Sequence, residues 1–167
     1  GYRDADVTHS RETSDGELRI VFAIHRGAPY RIAQIAIDGH SAMTTVELQD
    51  GPLKRVRLEE GQPFVQSRLD AAASEIGEDY RRRGYADVKV NASAGAETTP
   101  VGEATRPVAV RLTIAEGVRT LVGSVVFDGN RSLDEAILGR AIGSEPGEPF
   151  YRPQVAIDQD GVLLQYL

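Results

Sequence analysis

The sequence contains no cysteine, which excludes a disulfide framework and thiolate chemistry but leaves the cellular compartment open. It has no apolar run near the roughly 20 residues of a membrane-spanning helix. No signal-peptide pattern is present. The formal net charge is −6, so the sequence lacks the basic excess of a non-specific nucleic-acid binder. These absences leave a globular chain of 167 residues, long enough for one ordinary domain or two small ones.

The sequence also lacks the patterns of common catalytic and metal sites. Its histidines, which show no metal-ligand spacing, are His9, His25 and His40. The stretch GHSAM at 39–43 has Met43 where a nucleophile elbow requires glycine. The stretch Asp158–Leu167 resembles a calcium loop but fails at both terminal ligand positions. We therefore predict no catalytic residue, no cofactor and no metal.

The sequence repeats itself at intervals of about 90 residues, too long for a solenoid repeat and suited to a small domain. The segment Ile24–His40 matches Ile114–Asn130, with an Asp-Gly pair at the same place in both. The motif GQPF at 61–64 returns as GEPF at 147–150, and the opening Gly-Tyr returns at 84–85. The repeats predict one complete unit flanked by partial copies of it.

The predicted units are a head (residues 1–28), a middle unit (residues 29–118) and a tail (residues 119–167). The head corresponds to the last two strands of a unit. The tail corresponds to the first strand and both helices. Because the chain begins inside a motif, we expect a longer parent protein, in which a targeting segment could precede these residues.

Within the middle unit, strand periodicity alternates with helix periodicity. Arg31–Gly39 alternates as a strand that closes on an Asp-Gly turn, and 121–130 repeats the pattern in the tail. A first helix follows, weakened in the middle unit because Gly51-Pro52 should break it near Asp50. In the tail, Ser132 and Glu135 predict a capping box for the equivalent helix.

The second helix is the clearest element. Apolar residues at steps of three and four share one helix face: they are Val65, Leu69, Ala72, Ile76 and Tyr80. Arg81–Arg83 favour the negative end of the helix dipole, and Gly84 suits the left-handed position that ends a helix. Pro153 predicts the start of the equivalent tail helix.

A hairpin completes the unit. Alternating residues predict a strand at Asp87–Ser93, a polar loop at 94–106, and a last strand carrying Val108, Val110, Leu112 and Ile114 on one face. The order strand, helix, helix, strand, strand predicts an α+β fold of tandem two-layer β-α-α-β-β units. Each unit is a three-stranded mixed sheet covered on one face by two helices.

This order, with four motifs, resembles the polypeptide-transport-associated (POTRA) domains of BamA- or TamA-like outer-membrane assembly proteins. The motifs are the first strand I-x-x-I-x-I-x-G-[NH], the turn G-x-P-F, the helix exit Y-x-x-x-G-Y and the I-x-x-G after the last strand. Their structural residues are Gly39, Gly84, Tyr85, Gly117 and Gly129. The resemblance implies a periplasmic location, a membrane barrel downstream in the parent and no enzymatic activity.

The resemblance also implies where partners bind. In POTRA domains the second strand is the exposed edge of the sheet, and an exposed edge pairs with a guest strand. The residues so assigned, beside a groove against the helix at 66–83, are Asp87, Val88, Lys89, Val90, Asn91, Ala92 and Ser93. The expected partners are unfolded outer-membrane client proteins and accessory assembly proteins.

Other functions stay open at this stage. The chain could be a POTRA-type adaptor of a secretion or cell-division complex that acts mainly as a spacer or docking arm. Two-layer α+β folds also include nucleic-acid-binding modules and hydrolases. RNA binding would need exposed aromatic residues on the strands, and the middle-unit strands carry none. A hydrolase would need a nucleophile beside a base, and the sequence shows no such pair.

The partial units predict one further partner, a second copy of the chain. The head has an apolar strand face at Ile20, Phe22 and Ile24, and the tail has one that includes Val125 and Phe127. Each is the complement of the other in a complete unit, so we expect head-to-tail self-association into a ring or filament. The other expectation is that one or both partial units stay loosely ordered.

Overall fold

A computed structural model describes residues 1–14, 16–96 and 105–167. The strands are β1 (Asp6–Ser14), β2 (Glu17–His25), β3 (Tyr30–Asp38), β4 (Lys89–Ala96) and β5 (Arg106–Ala115). The helices are α1 (Thr45–Leu48), α2 (Gln66–Arg82), α3 (Glu135–Arg140) and α4 (Arg152–Leu164). Among these described helices, none combines the length and the apolar character that a membrane crossing requires.

The strands form two sheets. In the head, β1 and β2 make an antiparallel hairpin. In the middle unit the strand order is β3-β5-β4, with β3 parallel to β5 and β4 antiparallel to it. The predicted α+β fold with a three-stranded mixed sheet is confirmed, and β5 is the central strand.

The core of the middle unit lies between this sheet and its helices. The predicted apolar face of α2 is fully buried at Leu69, Ala72, Ile76 and Tyr80, each 0% exposed. It packs in one cluster with the inward residues of β5, Val108, Val110, Leu112 and Ile114. Each such aliphatic side chain contributes about 1.5–3 kcal/mol relative to exposure, so this interface holds the two layers together.

The sequence predicted a break in the first helix of the middle unit near Asp50, and the structure shows no such break. Instead α1 continues into a π-helix over Gln49–Leu53 that contains Pro52. Proline lacks an N–H, and in a regular α-helix its ring would press on the carbonyl four residues earlier; a wider π turn relieves that pressure. Pro52 and Leu53 are both buried. Their packing in the core therefore keeps the chain helical across a residue that would break a regular α-helix.

The capping box predicted at Ser132 and Glu135 is wrong. Helix α3 begins at Glu135 with Asp134 as its N-cap, and no side-chain bond closes that cap. Glu135 is therefore the first helical residue and not the third, the position from which a capping box reaches back. The middle unit carries the box instead: Thr44 and Glu47 exchange both bonds at the start of α1.

Strand β4 starts later and runs further than predicted. Asp87 belongs to a turn that the Val88 N–H closes by donating to the Tyr85 carbonyl at 3.3 Å. Asp87 and Val88 therefore precede the ladder, which extends to Ala96. The predicted loop at 94–106 is shortened from both sides, and its residues 97–104 lie outside the described residues.

The tail forms both helices but not the predicted strand at 121–130. Its described backbone there makes one isolated bridge, between Leu121 and Pro149. A strand needs a neighbour for its ladder, and β3 obtains that ladder from β5. Within the described chain, no strand takes the place of β5 beside the tail segment.

Candidate strand-docking edge

Strand β4 is one of the two edges of the three-stranded sheet. It pairs on one side with β5, from Lys89 opposite Ala115 to Ala96 opposite Val108. Within the part of the chain that the structure describes, no backbone hydrogen bond from another segment reaches its other side. The outward N–H and C=O groups of β4 are therefore available to a further strand.

The opposite edge, β3, is covered over its first half. The Ile32 N–H donates to the Gln62 carbonyl at 2.9 Å, and the Ile32 carbonyl accepts from the Gly61 N–H at 2.7 Å. The Ile35 N–H donates to a carboxylate oxygen of Glu60 at 3.1 Å. The turn at 59–64 thus occupies β3, and the two edges differ in accessibility.

Side chains along β4 alternate between the two faces of the sheet. Val90, Ala92 and Ala94 pack against the core, where α2 lies against the strand. Lys89, Asn91, Ser93 and Gly95 are exposed. The strand has one charged residue, at its first position, and neither proline nor a bulge. Beyond Lys89 at its start, it therefore lacks the devices that protect most natural edges from pairing.

The helix exit predicted at Gly84-Tyr85 delivers the chain to this edge. Gly84 follows α2 with φ +93°, the left-handed conformation expected at this position. The Tyr85 ring packs edge-on against the Tyr80 ring with centroids 5.6 Å apart, and it belongs to the rim of the core. The pair is a structural support for β4.

The other predicted motif glycines also take positive φ: they are Gly39, Gly117 and Gly129. At Gly39 the reason is a close crossing, because a Cβ there would lie 2.1 Å from the Ile114 carbonyl oxygen. That crossing brings the end of β3 against the end of β5. Of the residues assigned to the docking edge, the structure places Lys89 to Ser93 in β4, and Asp87 and Val88 in the turn before it.

Sequence reasoning missed a carboxylate that joins three elements of the middle unit. Glu116 follows β5 and accepts hydrogen bonds from the Ala42 N–H and the Tyr80 hydroxyl, both at 2.8 Å. It also accepts from the backbone N–H and hydroxyl of Ser41. Glu116 therefore ties the β3–α1 turn, the end of α2 and the end of β5 to one another.

Two acidic groups of this region have depressed pKa values. At Glu116 partial burial opposes ionisation, but the hydrogen bonds from Ser41, Ala42 and Tyr80 outweigh it and lower the pKa to about 2. At Glu47 the Thr44 N–H, and then the Arg83 guanidinium, lower the pKa to about 2. Burial and the bond to Glu116 raise the pKa of the Tyr80 phenol. Both carboxylates are thus held charged, as structural acceptors.

The tail presents an apolar groove of about 600 Å³ on its helices. Its lining includes Leu121, Val125, Phe127, Phe150 and Val155. Asp158, on α4, also lines the groove and is only 7% exposed. Its carboxylate accepts from the Gly143 and Ser144 N–H groups at 2.7 and 3.0 Å. It therefore anchors the loop between α3 and α4.

The described residues contain no group of three or more histidine, cysteine and acidic side chains that could hold a metal ion. His40 lies in the turn after β3, with its Nδ1 3.0 Å from the Met43 carbonyl oxygen and its Nε2 3.2 Å from the Thr45 hydroxyl. These contacts occupy both ring nitrogens within the turn.

Comparison with known proteins places this architecture among relatives. The chain is 22% identical over 157 residues to a putative outer membrane protein assembly factor of Treponema pallidum (strain Nichols). The aligned region covers 90% of this chain and 18% of the relative. It thus spans less than a fifth of that relative's length.

Two solved structures share the fold. The crystal structure of POTRA domains 3–5 of Haemophilus influenzae BamA matches 99% of this chain and 63% of that chain, with 20% identity and a TM-score of 0.55. The crystal structure of Haemophilus ducreyi BamA lacking POTRA domains 1–3 matches 78% of this chain and 23% of that chain, with 20% identity and a TM-score of 0.54.

The POTRA family model, described as a surface antigen variable number repeat, matches residues 30–117. That span begins with β3 and ends just after β5, so it contains the whole three-stranded sheet, α1 and α2. It also contains the open edge and three of the motif glycines, Gly39, Gly84 and Gly117. The match covers more than half of the chain, and this chain belongs to the POTRA family.

Proposed function

We propose that this chain is a periplasmic binding and scaffold module of an outer-membrane protein assembly or translocation factor, and that β4 receives unfolded client strands by β-augmentation. The observation that carries the proposal is the difference between the two sheet edges. The turn at 59–64 covers β3, whereas no described segment covers β4. Of the two edges, β4 therefore offers a guest strand the longer open ladder in the described part of this domain.

The chemistry of such an edge suits clients of many sequences. Main-chain hydrogen bonds supply the affinity, and they depend little on the guest's side chains. The guest's alternate residues would lie beside Asn91 and Ser93 on the outer face and beside α2 on the inner face. The small side chains of β4, which include Ala92, Ala94 and Gly95, leave room for varied guests. No covalent step is involved.

The names of the relatives support the cellular setting. The curated relative is described as an outer membrane protein assembly factor, and both solved structures are BamA domains. We extend that setting to this chain and expect accessory assembly proteins as additional partners. A second role, as a spacer or docking arm of a larger complex, is favoured by the short connections between its units.

Site-directed photocrosslinking tests the docking edge. Since the chain has no cysteine, Ser93→Cys on β4 and Gln34→Cys on β3 each provide a unique position for a benzophenone label. Both residues are exposed. The probe is an unfolded peptide with the alternating pattern of an outer-membrane strand. We expect crosslinks from position 93 and few from position 34.

Two outcomes decide the matter. A peptide with proline at alternate positions, which lacks the main-chain donors for the ladder, should crosslink more weakly. Equal labelling from both positions, or labelling that maps away from β4, would contradict the proposal. In that event the spacer role would become the better account of the domain.

A further inference from the structure

The chain contains two connections between successive units, and both are built on the same backbone contact. Between the head and the middle unit, the Gly1 carbonyl accepts from the Tyr30 N–H at 2.7 Å. Between the middle unit and the tail, the Gly84 carbonyl accepts from the Thr120 N–H at 2.8 Å. Gly1 and Gly84 open the two copies of the Gly-Tyr motif, so each motif glycine binds the first strand segment of the following unit.

The receiving segment is held in the same way at both connections. The Phe64 N–H donates to the Tyr30 carbonyl at 2.9 Å, and the Phe150 N–H donates to the Thr120 carbonyl at 2.9 Å. Two residues further on, Ile32 bonds Gln62 and Gly61, and Val122 bonds Glu148 and Gly147, at 2.7–2.9 Å. The G-x-P-F turn thus clamps the segment whose first N–H reaches the preceding unit.

The segment that connects each pair of units begins at a glycine that is packed closely against the preceding unit. Gly27 and Gly117 end the two copies of the I-x-x-G motif with φ +68° and +74°. A Cβ on Gly27 would lie 3.2 Å from the Asp4 Cβ, and one on Gly117 would lie 3.7 Å from the Asp87 Cβ. Only residues 28–29 and 118–119 separate these glycines from the clamped segments. Such connectors leave little room for independent motion.

We propose that the Gly-Tyr helix exit is a docking surface for the next unit of the same chain. Because this exit is repeated, each pair of consecutive units has the same relative orientation. The partner that this surface fits is a clamped first strand, formed by Tyr30 with the turn at 61–64 or by Thr120 with the turn at 147–150. The proposal is independent of client binding at β4.

Side chains reinforce the two junctions differently, which shows that the backbone is their common part. At the head, the Tyr30 hydroxyl donates to Asp4 at 2.9 Å, and Arg106 pairs with the same carboxylate at 3.4 Å. At the tail, the Tyr151 hydroxyl donates to Glu78. There Arg119 also donates to the Arg83 carbonyl at 3.0 Å.

Pulsed electron spin resonance on paired spin labels tests the proposal. Ser10 opposite Val21 and Ser93 opposite Arg111 occupy equivalent places in the two hairpins. Ser74 on α2 and Asp160 on α4 are likewise equivalent, and all four labelled residues are exposed. The double variants Ser10→Cys/Ser74→Cys and Ser93→Cys/Asp160→Cys therefore report the two junctions. We expect narrow distance distributions whose means agree within the width of either one.

A matched pair of glycine variants then probes the contact itself. A Cβ at Gly84 would lie 2.5 Å from the Thr120 carbonyl oxygen, whereas a Cβ at Gly129, in the turn before α3, would meet nothing within 4 Å, and the two residues have φ of +93° and +82°. Gly84→Ala should shift or broaden the 93–160 distribution and leave the 10–74 distribution unchanged. Gly129→Ala, which introduces the same backbone strain away from the junction, should leave both unchanged. Thr120→Pro removes the donor without altering the helix exit, and it should broaden the 93–160 distribution as well.

Two results would contradict the proposal. Broad, dissimilar distributions in the parent chain would overturn the fixed relation. An unaltered 93–160 distribution in both Gly84→Ala and Thr120→Pro would show that the backbone contact does not set it. In every variant the 10–74 pair verifies that the middle unit remains folded.

Discussion

At the residue scale, Glu116 joins separate parts of the middle unit. It collects hydrogen bonds from Ser41, Ala42 and Tyr80, residues on two other elements of the unit. A carboxylate that accepts several bonds is far more stable charged than protonated. Removing it would leave the partly buried donors unsatisfied, which costs about 1–3 kcal/mol for each buried group.

The charge of Glu116 predicts a pH dependence of stability. Its pKa is lowered from 4.5 to about 2 on folding, so the stabilisation it provides is present above pH 4.5 and declines as the pH falls toward 2. We expect Glu116→Gln to reduce the free energy of unfolding at pH 7 and to flatten its loss between pH 4.5 and about pH 2, the window set by those two pKa values. Urea denaturation across that range measures both.

The control for this prediction is Tyr80→Phe. It removes one hydrogen bond, worth about 1 kcal/mol, and leaves the carboxylate with its other donors. Because the Ser41 and Ala42 donors still lower the Glu116 pKa, this variant should keep most of the pH dependence of the parent chain. A Glu116→Gln profile as steep as the parent's would assign the acid sensitivity to another group, of which Glu47 is the first to consider because its pKa is also lowered to about 2.

At the scale of elements, the edge and central strands should differ in their tolerance of proline. Lys89→Pro in β4 removes at most one donor from a strand paired on one side. Arg111→Pro lies in β5, which is paired on both sides, and it disrupts a ladder that holds the whole sheet. We expect a modest fall in melting temperature for Lys89→Pro and loss of cooperative unfolding for Arg111→Pro. Equal loss in both variants would contradict the assignment of β4 as a dispensable edge.

Elements with strong local signals were predictable, and those that depend on distant partners were not. Helix α2 followed from its apolar period and its terminal glycine. The π-helix did not, since Gly51-Pro52 is a breaker locally and only the burial of Pro52 and Leu53 keeps the helix continuous. The strand predicted in the tail has the same sequence pattern as β3. It did not form because a strand also needs a neighbour for its hydrogen-bond ladder, and the described tail has none.

Most features of the candidate site depend on distant partners and were therefore not predictable from the residues alone. That β4 would be an edge followed from resemblance and not from its residues, because strand order is a property of the assembled sheet. The role of Glu116 carried no sequence signal, since its partners Ser41 and Tyr80 lie 75 and 36 residues away. The pairing of Gly84 with Thr120 likewise became visible only in three dimensions, although both junction glycines stand in a repeated motif.

At the scale of the whole molecule, the head and the tail expose complementary faces. On β2, Phe22 and Ile24 are 64% and 65% exposed. They align with Leu112 and Ile114 of β5, which are buried against β3 and α2 in the middle unit. The groove on the tail carries Val125 and Phe127 where β3 carries Ile35 and Ile37. The middle unit is thus a template for how one copy's head would cover another copy's tail.

We therefore predict head-to-tail self-association of this chain. Light scattering should give a mass that rises with concentration, and Phe22→Ser should lower that mass at every concentration, because it removes apolar surface from the contact. Val46→Ser, at a residue 63% exposed on α1, is the matched control. A strictly monomeric chain whose β2 amides exchange rapidly would contradict the prediction.

The parallel pairing of β3 with β5 has a consequence for the order of events in folding. Tyr30 and Arg106 are 76 residues apart along the chain and neighbours in the ladder. We expect α2, a local structure, to form early, whereas β3 and β4 both have to wait for β5, because it is the central strand of the sheet and the last to be made. During synthesis from the N-terminus, the unit closes only when β5 emerges. At that moment one event completes the sheet, fixes the crossing at Gly39 and brings Glu116 to its donors, so the unit passes from open to folded late and in a single cooperative step.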